Sequence, residues 1–245
     1  MPLISVIVPS LNEGENILQT LRSAEGKKGV ELIVADGGST DSTVLLAGSS
    51  GARVTVSPPG RARQMNAGAA TAKGDILLFL HADTILPRGF QDGVLHALSK
   101  AGVAAGAFSL RFLGERGFLL RCVECTANWR SRWLQMPFGD QAIFLKRQSF
   151  EDIGGFPDIP LMEDLEMVRK LRQKGRIVIL PSFVRTSPRR YQRDGTLKRI
   201  LINKFVFFGY FFGASPEKIS RWYYDMLPTE NRRGKAGAGP SPSEL

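Results

Sequence analysis

Residues 77–87, LLFLHADTILP, end an apolar run on an imidazole and a carboxylate, His81 and Asp83. The run 77–80 has the continuity of a buried strand, and Pro87 blocks regular structure beyond it. If the strand continues through both polar residues, their side chains share one face, because strand residues i and i+2 do. The pair therefore predicts a cation site, with an ordinary polar loop as the alternative.

The first half of the chain alternates between strand-like and helix-like segments. Apolar runs rich in β-branched residues predict strands at 3–8, 30–35, 52–56 and 75–80. The spacing of apolar residues predicts helices at 14–24, 41–48, 62–72 and 89–100. Strands that are apolar throughout and alternate with helices predict an α/β fold, in which helices flank a mostly parallel sheet.

Polar residues follow each of these predicted strands. Pro9, Asn12 and Glu13 follow the first strand, Asp36 ends the second, and Arg61 follows the third. The imidazole–carboxylate pair follows the fourth. Ligands bind beyond the carboxyl ends of the strands in an open parallel sheet, so we expect these residues to meet at one edge.

The second half of the chain has longer elements. The patterns predict strands at 104–112, 141–146 and 176–180. They predict helices at 115–133 and 165–175, with two further helices in the tail. A Gly-, Pro- and Ser-rich end predicts disorder at 229–245 and leaves one domain over 1–228.

The charge balance favours an anionic partner. Lys and Arg number 33 against 23 Asp and Glu, a net charge of +10, which suits nucleic acid, acidic lipid or phosphorylated molecules. The charges cluster in the tail, where 184–199 carries six Arg or Lys and one Asp. No nucleic-acid motif accompanies them, so we expect no nucleic-acid partner.

The cysteines and the apolar stretches indicate a cytoplasmic protein. Cys122 and Cys125 supply two ligands where a structural zinc site needs four, so they predict reduced, partly buried thiols. The N-terminal segment lacks the pattern of a signal peptide. No run reaches the ~18 apolar residues of a membrane span, although 200–212, ILINKFVFFGYFF, comes nearest.

Five segments resemble, in order and spacing, the family 2 glycosyltransferases, which have the GT-A fold. They are VIVPSLNEGENI (6–17), LIVADGGSTDST (32–43), NAGAATAKGDILLFLHADT (66–84), GDQAIFLKR (139–147) and GGFPDIPLMEDLEMVRKLRQKG (154–175). The resemblance covers about residues 3–185 and is nearest to a short, single-domain bacterial branch. It implies a donor-binding half near 1–100, a catalytic and acceptor half near 101–185, and a basic, aromatic tail over 186–228.

The resemblance implies a nucleotide site in the donor half. Pro9, Glu13 and Asp36 would hold the nucleotide, with Asp36 reading the base, since a carboxylate accepts from a ring N–H. Arg61 would bind the diphosphate or the nucleotide, and Arg63 is a weaker candidate for the same role. UDP is favoured over GDP as the commoner donor nucleotide of the family. The family commonly has two acids where this chain has Asp36 followed by glycine.

The resemblance also implies a divalent metal. The family's Asp-x-Asp motif reads His81-Ala82-Asp83 here. Asp83 would bind Mn²⁺ or Mg²⁺, which neutralises charge on the leaving diphosphate. His81 is either a second ligand, for which Mn²⁺ suits imidazole better than Mg²⁺, or a hydrogen-bonded loop residue.

The catalytic residues implied by the resemblance open the helix predicted at 165–175. Asp164 would be the general base that deprotonates the acceptor hydroxyl in an inverting reaction, with Glu163 beside it. The alternative for both is helix capping, because acids are common at helix starts. Asp140 and Gln141 resemble the family's acceptor-side segment.

The basic and aromatic tail has two implied roles. Arg189 and Arg190, followed by Tyr191, resemble a segment that closes over the donor phosphates. Segment 200–212 has four alternative roles. It lies at the inner face of the membrane, faces a lipid-linked acceptor, packs on the domain or forms a dimer contact. The sequence leaves the oligomeric state open.

The sequence thus predicts a metal-dependent, inverting glycosyltransferase that uses a nucleotide-sugar. Two alternatives stay open: a non-catalytic nucleotide- or polyanion-binding protein on the same fold, and a sugar nucleotidyltransferase.

Overall fold

A computed structural model describes residues 3–25 and 28–227 of the protein. Its strands are β1 Ile4–Ser10, β2 Val30–Asp36, β3 Arg53–Val56, β4 Ile76–Phe79, β5 Thr84–Ile85, β6 Val103–Phe112, β7 Phe144–Lys146 and β8 Arg176–Thr186. Its helices are α1 Ile17–Arg22, α2 Thr43–Ser49, α3 Arg61–Thr71, α4 Phe90–Leu98, α5 Phe118–Leu134, α6 Arg147–Asp152, α7 Glu163–Lys174, α8 Arg189–Asp194, α9 Thr196–Phe211 and α10 Pro216–Met226. The tail predicted at 229–245 lies outside the described residues.

The strands form one sheet in the order β3-β2-β1-β4-β7-β6-β8-β5. The pairs β1–β2, β2–β3, β1–β4 and β6–β8 are parallel, whereas β7 is antiparallel to β4 and β6, and β5 is antiparallel to β8. From β1 the chain adds strands first on one side and then on the other. Such a switch point opens a crevice at the carboxyl ends of β1 and β4.

Both faces of the sheet are buried, as the continuous apolar strands predict. All seven residues of β1 are buried, with Val6 and Val8 in the core on one face and Ile7 in the core on the other. Each buried aliphatic side chain contributes about 1.5–3 kcal/mol. Helix α3 lies close against Ile7, because Gly68 has no Cβ; an added one would lie 2.5 Å from Ile7 Cγ2.

A third apolar cluster fixes the C-terminal helices beside the crevice. Ile202 and Val206 of α9 and Ile219 of α10 share it with Met136 and Met162. Met136 precedes the loop at Gly139–Gln141, a 3-10 turn, and Met162 directly precedes α7. The tail is therefore packed on the two segments that carry the predicted catalytic and acceptor-side residues.

The structure corrects several predicted elements. Strand β4 ends at Phe79 and residues 82–83 form a turn, so His81 and Asp83 are not alternate residues of a strand. The short β5 and α6 were not predicted, and the described tail has three helices instead of two. Strand β3 is half-exposed because it is an edge strand. Within the described residues, no helix has the length and apolarity to cross a membrane.

The expectation for the cysteines is correct in part. Both thiols are free, and Cys122 is half-buried, but Cys125 is exposed on α5 rather than partly buried.

Candidate active site

A cavity of about 490 Å³ opens at the carboxyl ends of β1 and β4. Its walls come from the loops after these strands, the start of α3, the start of α7, α8 and α10. The lining residues are Pro9, Ser10, Leu11, Glu13, 59–64, 81–83, 158–161, Glu163, Arg190, Tyr223 and Tyr224. Residues predicted separately from strand ends, a helix start and the tail are therefore neighbours in one cavity.

One arginine of the tail joins two predicted donor-site acids. Arg189 Nη2 donates to both carboxylate oxygens of Glu13 and lies 3.3 Å from Asp83 Oδ2. The side chains of Glu13 and Asp83 are only 9% and 10% exposed. A charge-assisted bond to a largely desolvated carboxylate is stronger than one at the surface, so this link holds α8 against the crevice.

Asp36 is not among the cavity-lining residues; it is hydrogen-bonded to Ser10 of the cavity wall, and its carboxylate orders its own loop. Oδ2 accepts from the backbone N–H groups of Gly38 and Ser39, each at 2.8 Å. Oδ1 accepts from the hydroxyls of Ser39 at 2.5 Å and Ser10 at 3.3 Å. Asp36 is buried and orders the turn after β2.

His81 is a neutral imidazole at physiological pH. Burial and the nearby charge of Arg61 lower the pKa of His81 to about 4. The backbone of Gly139 lies against it, since an added Cβ there would be 2.8 Å from His81 Nε2. This glycine permits its loop, Gly139–Gln141, to approach the turn after β4. The loop is called the acceptor-side loop after its predicted role.

The chemistry of Asp83 and His81 fits a divalent cation with few protein ligands. The carboxylate of Asp83 is contacted by Arg189 and by weak hydroxyl donors, with Thr186 Oγ1 at 3.4 Å from Oδ1, and the neutral imidazole of His81 has one nitrogen lone pair that can bind a cation. No group of three or more His, Cys, Asp or Glu in the described chain forms a metal cluster. A cation here would take its other ligands from phosphate oxygens and water, as Mg²⁺ sites commonly do.

Helix α7 begins with an ion pair that faces the cavity. Arg61 Nε lies 2.8 Å from Glu163 Oε1, and the Glu163 side chain is only 3% exposed. Burial raises the pKa of Glu163, with Arg61 opposing that shift. The carboxylate in turn raises the pKa of Arg61. Among the described residues, the buried Oε2 of Glu163 has no hydrogen-bond partner.

Asp164 connects α7 to the acceptor-side loop. Its Oδ2 accepts from the Gly139 N–H at 2.7 Å, and its Oδ1 accepts from the Leu165 N–H at 2.8 Å. The N-cap of α7 is Met162, which has no side-chain capping bond and a left-handed backbone with φ 69°. Asp164 is thus the second residue of α7, and its carboxylate points toward the loop at Gly139.

The predicted acceptor-side pair has two different environments. Burial raises the pKa of Asp140 to about 6, with Arg130 opposing the shift. Its buried Oδ1 has no hydrogen-bond partner in the described part of the chain. Gln141 is fully buried, donates to Phe108 O at 3.0 Å and accepts from Ser131 Oγ at 2.5 Å. Gln141 therefore anchors the loop that presents Asp140.

The remaining predicted arginines lie at the cavity. Arg190 is part of its wall. Arg63 is at the rim, where its exposed side chain pairs with Asp158 at 2.9 Å. Tyr191 packs against Phe112, with ring centroids 5.3 Å apart, and burial raises its pKa to about 12. Tyr191 therefore anchors α8 to the sheet.

Three residues of the site were not predicted from the sequence. Tyr223 and Tyr224 of α10 line the cavity, and the Tyr223 hydroxyl contacts Arg199 Nη2 at 2.5 Å. Arg130 of α5 stacks over Phe138, 3.6 Å from the ring centroid, beside Asp140. The two aromatic residues in the C-terminal helix were visible, but only its packing shows that they reach the crevice.

Known proteins are similar to this chain in sequence and in architecture. A model of glycosyl transferase family 2 matches residues 5–154. Glucosyl-3-phosphoglycerate synthase of Mycolicibacterium smegmatis is 36% identical over 96 residues, covering 34% of this chain and 32% of that enzyme. The match thus spans about a third of the length of this curated relative.

Solved structures show the same fold. A mannosyltransferase from Pyrobaculum calidifontis, in complex with GDP-Man and Mn²⁺, has a TM-score of 0.68 at 21% identity, over 99% of this chain and 77% of that chain. Glucosyl-3-phosphoglycerate synthase from Mycobacterium tuberculosis, in complex with Mn²⁺, UDP and phosphoglyceric acid, has a TM-score of 0.57 at 24% identity, over 74% and 69%. The mostly parallel sheet with flanking helices is therefore the GT-A fold.

Proposed function

The chain belongs to glycosyl transferase family 2, and from this premise we propose that it is a metal-dependent, inverting glycosyltransferase. It moves a sugar from a nucleotide-diphosphate sugar to an acceptor hydroxyl. The observation that carries the proposal is the composition of the crevice cavity. Arginines from α3 and α8 and carboxylates from three separate segments line it together. Cations and acids in that arrangement suit a diphosphate leaving group and a proton transfer beside it.

The nucleotide would lie over the end of β1. Pro9 and Glu13 line the cavity there. Asp36 is assigned to the base, whose ring N–H would compete with Gly38 and Ser39 for the carboxylate. A UDP-sugar is the favoured donor and a GDP-sugar the second choice; solved relatives contain UDP in one case and GDP-Man in another.

The diphosphate would lie between the arginines and Asp83. Arg61, Arg189 and Arg190 are assigned to phosphate oxygens, because a guanidinium donates two parallel bonds to such an anion. Asp83, with His81, would hold Mn²⁺ or Mg²⁺, which when bound neutralises charge on the leaving diphosphate. Arg189 would then exchange one of its acid partners for a phosphate oxygen.

Asp164 is the proposed general base. Its carboxylate takes the proton of the acceptor hydroxyl while that oxygen attacks the anomeric carbon and the bond to the diphosphate breaks on the opposite side. The Gly139 N–H orients Asp164, and Glu163 holds Arg61 at the cavity. Asp140, on the loop that Gln141 anchors, is assigned to the acceptor.

The proposed setting is the cytoplasmic side of a membrane, with a lipid-linked acceptor. This assignment rests on α9, which exposes Phe208 and Phe211. Their rings pack against the half-buried Phe207, whose ring lies 6.0 Å from that of Phe138 beside the acceptor-side loop.

The first test is calorimetric titration of the protein with UDP and with GDP, each with Mn²⁺ and with a chelator. We expect metal-dependent binding of one nucleotide, lost in Asp83→Ala. Release of UDP from UDP-glucose then reports turnover, which Asp164→Asn should lower by about 10²–10⁴-fold. Glu166→Gln, on the same helix, is the matched control and should leave turnover unchanged.

Each other outcome rejects part of the proposal. Nucleotide binding without turnover of any sugar nucleotide would assign a non-catalytic binding protein. Release of pyrophosphate in place of the nucleoside diphosphate would assign a nucleotidyltransferase. Full turnover in Asp164→Asn would place the base elsewhere, with Glu163 as the next residue to test.

A further inference from the structure

Two neighbouring helices each expose an apolar row. On α9 and its C-terminal cap the exposed row is Leu197, Leu201, Phe205, Phe208 and Phe212. Residues spaced by three and four positions share one helix face. The opposite face of α9 is buried in the third apolar cluster through Ile202 and Val206. The ring of Phe205 lies 5.3 Å from that of Trp222 of α10, but more than half of each side chain in the row is exposed. The row is therefore a second apolar face that the fold of the described chain leaves largely exposed.

Helix α5 repeats this pattern beside α9. Its exposed row contains Phe118, Cys125, Trp129 and Trp133 at spacings that again lie on one face. The side chains of Phe118 and Trp133 are 79% and 71% exposed. The two helices contact each other, and the two rows together are called the α5–α9 face.

The charges on the α5–α9 face have one sign. The exposed charged residues of these two fully described helices are Arg121, Arg132, Lys198 and Lys204. The acid of α5, Glu124, is half-buried and paired with Arg116 at 3.3 Å. An apolar, Trp- and Phe-rich face whose exposed charges are all basic is the composition of helices that lie in a membrane interface.

We propose that the α5–α9 face docks on an anionic lipid bilayer. Exposed Trp and Phe side chains would enter the headgroup boundary, and the Lys and Arg side chains would meet anionic headgroups. A second copy of the chain fits this face less well. In a two-fold interface the same patch meets itself, so a face with four exposed basic side chains would meet another face with the same four.

The docking surface is one aromatic layer away from the acceptor-side loop. The Phe207 ring lies 5.7 Å from Phe208 and 4.7 Å from Phe211 on the exposed side, and 6.0 Å from Phe138 on the other. Phe138 directly precedes Gly139, which contacts the predicted base. Docking would therefore bring the bilayer near the acceptor side of the active site. The assignment of that side to the acceptor rests on the proposed function, whereas the docking itself does not.

The test is co-sedimentation of the full chain with vesicles of phosphatidylcholine and with vesicles that also contain phosphatidylglycerol. We expect at least tenfold stronger binding to the anionic vesicles, and weaker binding as salt rises. Trp133→Ser and Phe212→Ser should each weaken binding roughly tenfold. Lys198→Gln and Lys204→Gln should each weaken it roughly fivefold. Leu45→Ser, a 74% exposed position on α2, is the matched control and should leave binding unchanged.

Calorimetry of the wild type and the same variants with UDP and with GDP, each with Mn²⁺, separates the two proposals. Unchanged nucleotide binding together with lost vesicle binding supports the docking surface. Vesicle binding without any nucleotide binding by the wild type rejects the proposed function and leaves the docking surface intact. No binding to anionic vesicles, or equal binding by wild type and variants, overturns the proposal. A dimer that Trp133→Ser and Phe212→Ser dissociate would assign this face to a second copy.

Discussion

Arg189 Nη2 lies 3.3 Å from Asp83 Oδ2 and also donates to Glu13, so one guanidinium joins acids from the ends of β1 and β4. Both acids are largely buried, and Arg189 offsets their mutual repulsion. A cation at Asp83 and a diphosphate at Arg189 would each compete with this contact. Arg189 should thus weaken the binding of a cation at Asp83 and strengthen the binding of a diphosphate.

Substituting Arg189 should separate these effects. In Arg189→Gln we expect Mn²⁺ alone to bind several-fold more tightly, because a positive charge beside Asp83 is gone. UDP with Mn²⁺ should bind about 10–100-fold more weakly, because a charge-assisted contact to phosphate is lost. Calorimetric titration of each ligand measures both changes. Arg185→Gln, an exposed position on β8, should change neither affinity, and a parallel change in both affinities would contradict the competition.

Gly139 should tolerate no side chain. A Cβ there would lie 2.8 Å from His81 Nε2 and 3.3 Å from Asp164 Oδ2, so Gly139→Ala must displace the imidazole or the loop. We expect turnover to fall at least tenfold, with a stability loss of about 1–3 kcal/mol from overpacking. Kinetics of UDP release and urea unfolding measure the two effects.

A matched glycine provides the control for Gly139. Gly48 is on α2, and a Cβ added there meets no atom within 4 Å. Gly48→Ala should therefore keep full turnover and raise stability by up to about 1 kcal/mol through helix propensity. If Gly139→Ala also keeps full turnover, close contact between the loop and His81 is not required.

The two residues of the buried ion pair at the start of α7, Arg61 and Glu163, should cost different amounts of stability when each is substituted. Arg61→Gln leaves the Glu163 carboxylate buried without its counter-charge, at a cost of about 3 kcal/mol. Glu163→Gln leaves Arg61 with a side chain that is 37% exposed and able to reach water, so it should cost less. The double variant should be more stable than Arg61→Gln alone, because the unpaired buried charge is gone.

The pH dependence of Arg61→Gln gives a second readout. Burial already raises the pKa of Glu163, and loss of Arg61 should raise it further. The folded variant then retains a proton that the unfolded chain has released, so its stability should fall as pH rises above the ordinary glutamate pKa. Urea unfolding at about pH 5 and about pH 8 measures the slope; a loss of stability that is independent of pH would contradict it.

The N-terminal half of the fold was predictable because its signals are local. β-Branched runs and helical spacing locate β1, β2, β4 and the helices between them. The strand-end rule then places Glu13 and Asp83 at one edge, where the structure has them. Their link through Arg189 was not predictable, because it depends on how α8 packs.

Elements fixed by tertiary contacts were not visible in the sequence. Strand β5 has two residues and exists because it pairs with β8. Similarly, Tyr223 and Tyr224 reach the cavity because α10 packs in the third apolar cluster. The hydrogen bonds that Asp36 accepts from its own loop were also not predictable. An Asp that orders a loop and an Asp that binds a nucleotide base look the same in a sequence.

Asp140 should make the stability of the protein pH-dependent in the absence of metal and nucleotide. Burial raises its pKa from 3.8 to about 6. Between these values the folded protein holds a proton that the unfolded chain has released, so stability falls as pH rises through this window, and the penalty is complete above about pH 6. Asp140→Asn cannot ionise; it should match the wild type near pH 4 and be about 1–3 kcal/mol more stable above pH 7. Urea unfolding of both proteins across this range, with chelator present, measures the difference, in which the contributions of other titrating groups cancel. A constant difference at every pH would show that the Asp140 carboxyl does not titrate in this window.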